Sequence, residues 1–397
     1  MGTHIPEGDA VMAAPGATAP TRPHEARHTP VSAFVRRIFG YLPRADQQRT
    51  AETYLRGLLS APGRKTVRQM AQTLCPASPN TSQSLQQFIS SSPWDWLPAC
   101  AGLALLAAEN RPVEAWTSSM VVVEKRGEHT VGVHRRYVPD AGRTLNCQVG
   151  IGLFVVSGTA CVPVAWRLVM DEKWFGEEQR ERARIPDSAH YRSAPAHLLE
   201  MVDWLARLRI SHPVPLVVTR PLSADARPVA DRLSERGLPF VLAVHPGQPV
   251  THASPTRPDA PQQPLAAHRL TSPAGEPRTV TLGPRGALST PVRLPGARRA
   301  PRTYLLVTEH ATGGHWLTNL PAHRLDEVLD HIGRSALTSA TVRTLEQDFG
   351  LLDFQGRSFP GWHHHTTMAS AAYHYRHLHT PPHGTPAPGA VLEGLAR

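Results

Sequence analysis

Cysteine is scarce: Cys75, Cys100, Cys147 and Cys161 are the only four in 397 residues, and no two form a CxxC pair. That excludes a disulfide-stapled scaffold and a zinc ribbon, and suits reduced thiols in a cytoplasm. Long apolar runs are also missing. No stretch approaches the roughly 20 residues of a membrane span, and residues 1–30 lack the basic start and apolar centre of a signal peptide. The expectation is a cytoplasmic protein with no membrane partner. There is neither a Gly-x-Ser-x-Gly elbow nor a phosphate-cradling loop. Acidic residues are in deficit, with 32 Asp+Glu against 42 Lys+Arg and a formal charge of +10. An excess of this sign favours an acidic polymer as partner, because neutralising phosphates releases counterions.

A chain of this length can bury a full core and carry smaller pieces beside it. Residues 1–30, rich in Ala, Pro, Gly and Thr, are expected to form a disordered tail, and residues 381–397 a loose one. Between 31 and 112 apolar residues recur at helical spacing, as in Val31, Phe34, Val35, Ile38 and Phe39, which predicts a small helical domain rich in arginine. From 113 to 380 the pattern changes. Short β-branched runs at 120–123, 130–133, 149–156 and 161–168 predict antiparallel strands. A helix at 195–208, a strand at 214–218, a helix at 226–236 and a strand at 240–244 then predict crossovers onto parallel neighbours. Three meandering strands followed by alternating helices and strands is the order of an RNase H-like α/β domain. A mixed sheet with flanking helices is therefore expected. Residues 245–301, dense in Pro, Gly, Arg and Thr, read as an insertion with a strand pair near 278–282 and 291–294. Strands at 303–308 and 315–320 and helices at 325–332 and 336–349 complete the domain.

Ordered motifs run through residues 44–378. They include Tyr54-Leu-Arg-Gly-Leu-Leu-Ser60, Gly63-Arg-Lys65, Leu85-Gln-Gln-Phe-Ile-Ser90, Lys125-Arg-Gly127, Asn146-Cys-Gln-Val-Gly150, and Gly237-Leu-Pro-Phe-Val-Leu-Ala-Val244. The closing block is Gly350-Leu-Leu-Asp-Phe-Gln-Gly-Arg-Ser358 followed by Gly361-Trp-His-His-His365. Taken in order, these resemble the DDE transposases of the insertion sequence 701 group, a family of DDE superfamily endonucleases. The resemblance implies an RNase H-like core, double-stranded DNA as partner, and three carboxylates that hold two divalent ions for strand cleavage and joining.

Carried over motif by motif, those carboxylates belong at Ser119, six positions before Lys125; at Arg220, thirteen before Leu233; and at Ser339, eleven before Gly350. None is acidic. Residues 115–123, 204–224 and 331–345 contain no Asp or Glu at all. Glu124 lies about 16 Å along an extended strand from Ser119 and on its other face. Glu346 lies two helical turns, about 10 Å, past Ser339. Asp225 is expected to begin a helix. A fixed cation at Arg220 opposes metal binding.

The resemblance therefore implies a DNA-binding transposase relative without strand cleavage, and with no cofactor. Two alternatives stay open: an active transposase with a rearranged two-metal site that uses Mg²⁺, and a transposase fold recruited for small-molecule biosynthesis. Phosphate contacts are expected from Arg56, Arg64, Lys65, Arg68, Lys125 and Arg126, with Arg64 and Lys65 exposed between helices. A homodimer is left open. His363, His364 and His365, with His374, His377 and His379 behind them, offer ligand spacing for zinc, but as part of the closing block they read as helix packing or DNA contact. The tryptophans read as core.

Overall fold

The computed structural model of the chain describes residues 29–109, 111–138, 141–253, 263–270, 281–296, 302–309 and 313–379. The expected tails lie outside these residues, apart from Thr29 and Pro30. Much of 254–301 does too.

Five helices come first: α1 (Pro30–Phe39), α2 (Ala45–Ser60), α3 (Val67–Leu74), α4 (Asn80–Ser90) and α5 (Leu97–Glu109). Thr29 starts α1 by accepting the Ser32 N–H, and Thr66 starts α3 by accepting that of Gln69, each satisfying an otherwise orphaned donor. The helices bury Phe34, Ile38, Phe39, Leu55 and Leu58 almost completely. Each such side chain contributes roughly 1.5–3 kcal/mol by leaving water.

Then follow β1 (Ala115–Glu124), β2 (His134–Val138), β3 (Arg143–Ser157), β4 (Ala160–Val169), α6 (Glu177–Ala183), α7 (Ala194–Arg207), β5 (Leu216–Val218), α8 (Arg227–Glu235) and β6 (Phe240–Val244). Strands β7 (Pro249–His252) and β8 (Leu265–Ala266), helix α9 (Ala267–Leu270), and strands β9 (Thr281–Leu282), β10 (Leu288–Arg293), β11 (Tyr304–Thr308) and β12 (His315–Thr318) precede α10 (Leu325–Asp348) and α11 (Phe359–His379). One mixed sheet runs β2-β3-β1-β5-β6-β12-β11-β10-β7-β8, with β4 also on β3 and β9 on β10. β1 pairs antiparallel with β3 but parallel with β5, and β5 parallel with β6. This large mixed sheet with flanking helices is consistent with the expected RNase H-like fold.

Helices α7 and α8 pack on one face through Leu198, Met201, Leu205 and Leu233. α10 covers the other through Val328, Leu329 and Ile332. The first helices share a single apolar cluster with α11 and with Phe154, Trp166 and Leu168 of the sheet. α11 is buried on nearly every side from Phe359 to Ala372.

Two details differ from the expected elements. Thr130–Val133 is a turn rather than a strand. Gly132 takes a φ of +75°, and the carbonyls of Val131 and Val133 accept from the side chains of Gln148 and Trp174 instead of a ladder. The helices expected at 325–332 and 336–349 form one, because Gly333 is accommodated inside α10 without a break. Within the expected insertion, β9 pairs with β10 close to the expected strand pair, and β7 to β10 join the sheet of the rest of the domain.

Candidate functional site

Successive residues of a strand point to opposite faces, and β1 obeys this. Trp116 joins the core under α7 and α8, while the Thr117 hydroxyl meets that of Thr338 on α10 at 2.6 Å. Ser119 shares the face of Thr117, stands opposite Gly152 of β3, and is 5 % exposed. Beside it β5 ends at Val218, opposite Ser118. Thr219 continues the register by donating its N–H to the Ser118 carbonyl at 2.9 Å, and Arg220 follows, exposed. Ser339 comes directly after the Thr338 that fixes α10 over β1, and it too is exposed. The segments carrying Ser119, Arg220 and Ser339 thus meet where the middle of β1 lies beside the C-terminal end of β5.

One charged group stands near these positions, the Glu346 that the sequence places two helical turns past Ser339. Glu346 is half-buried on the flank that α10 shares with Ser339 and Arg343, which lie seven and three residues before it. Burial raises its pKa, and the positive charges of Arg220 and Arg343 work against that rise. Helical spacing gives its relation to Ser339 and Arg343, and the fold adds Arg220. Two hydroxyls and a guanidinium make a poor ligand set for a divalent ion, since Mg²⁺ favours carboxylates. Among the described residues no group of three or more His, Cys, Asp or Glu is placed to hold a metal. The residues at the three positions do not fit a two-metal centre.

The motifs that are far apart in sequence meet beyond the end of β1. Asn146 donates to the carbonyls of Lys125 and Gly127, at 3.1 and 2.8 Å, shaping the Lys-Arg-Gly turn. Lys125 in turn donates to the Phe354 carbonyl at 3.0 Å, and burial lowers its pKa. Arg126 is exposed. Asp353 accepts the Lys65 N–H at 2.7 Å and pairs with Arg64 at 3.3 Å. Between these elements and α4 lies a cleft of about 870 Å³, with Lys65, Arg68, Gln83, Gln87 and Gln355 in its walls.

The expected phosphate contacts divide accordingly. Arg68 is exposed in the wall of this cleft, while Arg64 and Lys125 are held to two of its lining residues, Asp353 and Phe354; Arg126 is exposed on the turn after β1. Arg56 lies elsewhere on α2, bonded to Glu52 and Thr29. Lys65 corrects the expectation of exposure: it is 7 % exposed, and its ammonium donates to the Ala61 carbonyl at the end of α2. A cation there satisfies an orphaned carbonyl and suits the negative end of the helix dipole. Gly350 allows the approach, because it has a φ of +64° and a Cβ on it would lie 2.5 Å from the Lys65 Cβ.

The histidines are packing groups. His364 stacks on Trp94 at 3.8 Å, and its two ring nitrogens face the carbonyls of Ile89 and Trp94. Both carbonyls favour a protonated ring, but burial is the larger influence and lowers the pKa to about 4. His365 donates to the Gly350 carbonyl and accepts from the Tyr54 hydroxyl, and burial brings it to about 4 as well. His363 bonds the Phe359 carbonyl and His374 that of Pro163. Three adjacent rings with separate partners do not converge on one ion. Trp94, Trp116, Trp166, Trp174, Trp316 and Trp362 are buried, as core residues should be.

Residues 37–297 match the family model described as DDE superfamily endonuclease, a span that contains Ser119 and Arg220 and stops short of Ser339. No curated protein matches the chain. Across this length the match leaves a single assignment: the chain belongs to the DDE superfamily endonuclease family.

Proposed function

We propose that the protein is a DNA-binding member of the insertion sequence 701 group of transposases that neither cuts nor joins strands. The observation that carries this reading is the chemistry at Ser119, Arg220 and Ser339, where hydroxyls and a guanidinium stand in place of metal-binding carboxylates. A guanidinium is a permanent cation with five donors suited to phosphate oxygens. The middle of β1 and the end of β5 therefore favour a phosphodiester over a divalent ion. Positive charge at Arg68 in the cleft wall, and at Arg64 and Lys125 against its lining residues Asp353 and Phe354, supplies backbone contacts there.

The rearranged-metal reading has one nearby carboxylate, Glu346, and it faces Arg220 and Arg343. The small-molecule reading would draw support from a cavity at the three positions. However, the cavities of about 950 and 870 Å³ are lined by other residues. Titration of the full chain with duplex DNA at several salt concentrations tests the binding half. Affinity should fall steeply, with a slope of about 0.9 per neutralised phosphate. Absence of duplex binding at low salt refutes it.

A further inference from the structure

Helix α4, Asn80-Thr-Ser-Gln-Ser-Leu-Gln-Gln-Phe-Ile-Ser90, carries no charged residue, although its outward face is open to solvent at Gln83, Ser84, Gln86 and Gln87. Solvated helix faces ordinarily carry charge. α2, two helices earlier, has Asp46, Arg49, Glu52 and Arg56 in sixteen residues. Gln83, Gln86 and Gln87 are spaced i, i+3 and i+4, so they form one stripe, and they line the same cleft as Arg68 and Gln355. A carboxamide presents a donor and an acceptor side by side, the arrangement that pairs with N6 and N7 of adenine in the major groove. At eleven residues α4 is about 16 Å long, and a helix about 10–12 Å across fits a groove about 12 Å wide.

The helix is also held firmly. His364 meets the Ile89 carbonyl at 2.9 Å, Arg184 donates to those of Ser90 and Ser91 at 2.5 and 3.2 Å, and Ser358 donates to Ser90 at 3.2 Å. These bonds satisfy the C-terminal carbonyls from behind and leave the glutamine stripe outward. Fixed placement is what base reading needs, because geometry must hold to a fraction of an ångström.

We infer that α4 is the element that reads base edges in the major groove of duplex DNA, with Gln83 and Gln87 as its specificity-determining residues and Arg64 and Arg68 holding the flanking phosphates. This rests on the DNA-binding reading. The charge arrangement supports the choice of partner, since an uncharged stripe with arginine beside it in the same cleft matches base edges next to a phosphate backbone.

The test selects duplexes from a library with a randomised core, using the full chain and the Gln83→Ala/Gln87→Ala double variant. Alanine is a good helix former, so the fold should survive, and circular dichroism checks this. The native chain should enrich a motif containing adenine. The variant should bind that motif about tenfold or more weakly, with affinity for a scrambled duplex changed by less than about twofold and an unaltered salt slope. Enrichment of the same motif by the variant overturns the assignment of the helix. Equal binding of selected and scrambled duplexes by the native chain overturns base reading while leaving DNA binding intact. No binding to any duplex overturns the underlying reading itself.

Discussion

Lowering the pH from 7 to 5 should destabilise the protein through the buried histidines of its last helix. His364, His365 and His374 are each brought by burial to about 4, from an ordinary value of 6.5. In the unfolded chain they protonate near 6.5, so between pH 6.5 and 4 the unfolded state binds more protons. Stability is therefore fully present above about 6.5 and falls as the solution is acidified towards 4. For a shift of this size the loss between pH 7 and 5 is about 1.8 kcal/mol per histidine, or about 5.5 kcal/mol for three. That is comparable with the whole stability of many domains. Glu346, whose pKa burial raises, acts in the opposite sense and offsets part of the loss. Thermal melts at half-unit steps, with proton uptake measured on unfolding, provide the assay. A melting temperature unchanged from pH 7 to 5, or fewer than two extra protons bound on unfolding at pH 5, would refute the argument.

Other outcomes follow from individual contacts. Lys65→Ala should lower the melting temperature and leave duplex affinity nearly unchanged, because the ammonium closes α2. Arg68→Ala should do the reverse, weakening binding and reducing the salt slope by about 0.9, as salt-dependent titrations and melts of both variants will show. Gly150→Ala should destabilise by about 1–3 kcal/mol through overpacking, since its Cβ would lie 3.0 Å from Trp362 and 3.1 Å from Val121; denaturant unfolding measures this. Ser119→Asp, Arg220→Asp and Ser339→Glu made together should create Mn²⁺ affinity measurable by calorimetry, while each single change should not, because two ions need the carboxylates jointly.

Much of the fold was legible because its signals are local. β6 at 240–244 was expected from its apolar run and is found as Phe240–Val244, and the crossover from α7 through β5 to α8 follows strand and helix periodicity. The motifs Asn146–Gly150 and Gly361–His365 were visible as words but not as contacts. Only the folded chain brings Gly150 beneath Trp362 and Asn146 onto the Lys125 and Gly127 carbonyls. Strand 130–133 was misread because two valines flanking a glycine look extended, whereas a left-handed Gly132 turns the chain. The burial of Lys65 was not legible because Asp353, far along the chain, helps enclose it, although its reach to the Ala61 carbonyl is local. The neighbourhood of Arg220 and Glu346 joins residues more than a hundred positions apart, and periodicity carries no information about such a meeting.

The central claim, that this family member has lost strand cleavage, is tested most directly by incubating the unaltered full chain with supercoiled plasmid in Mg²⁺ and then in Mn²⁺. Nicked and linear products are followed on a gel, with a chelator as control. No conversion above the metal-only background is predicted for either ion, even at protein concentrations that retard the plasmid. Nicking that requires the divalent ion, disappears with chelator and co-purifies with the chain would contradict the account.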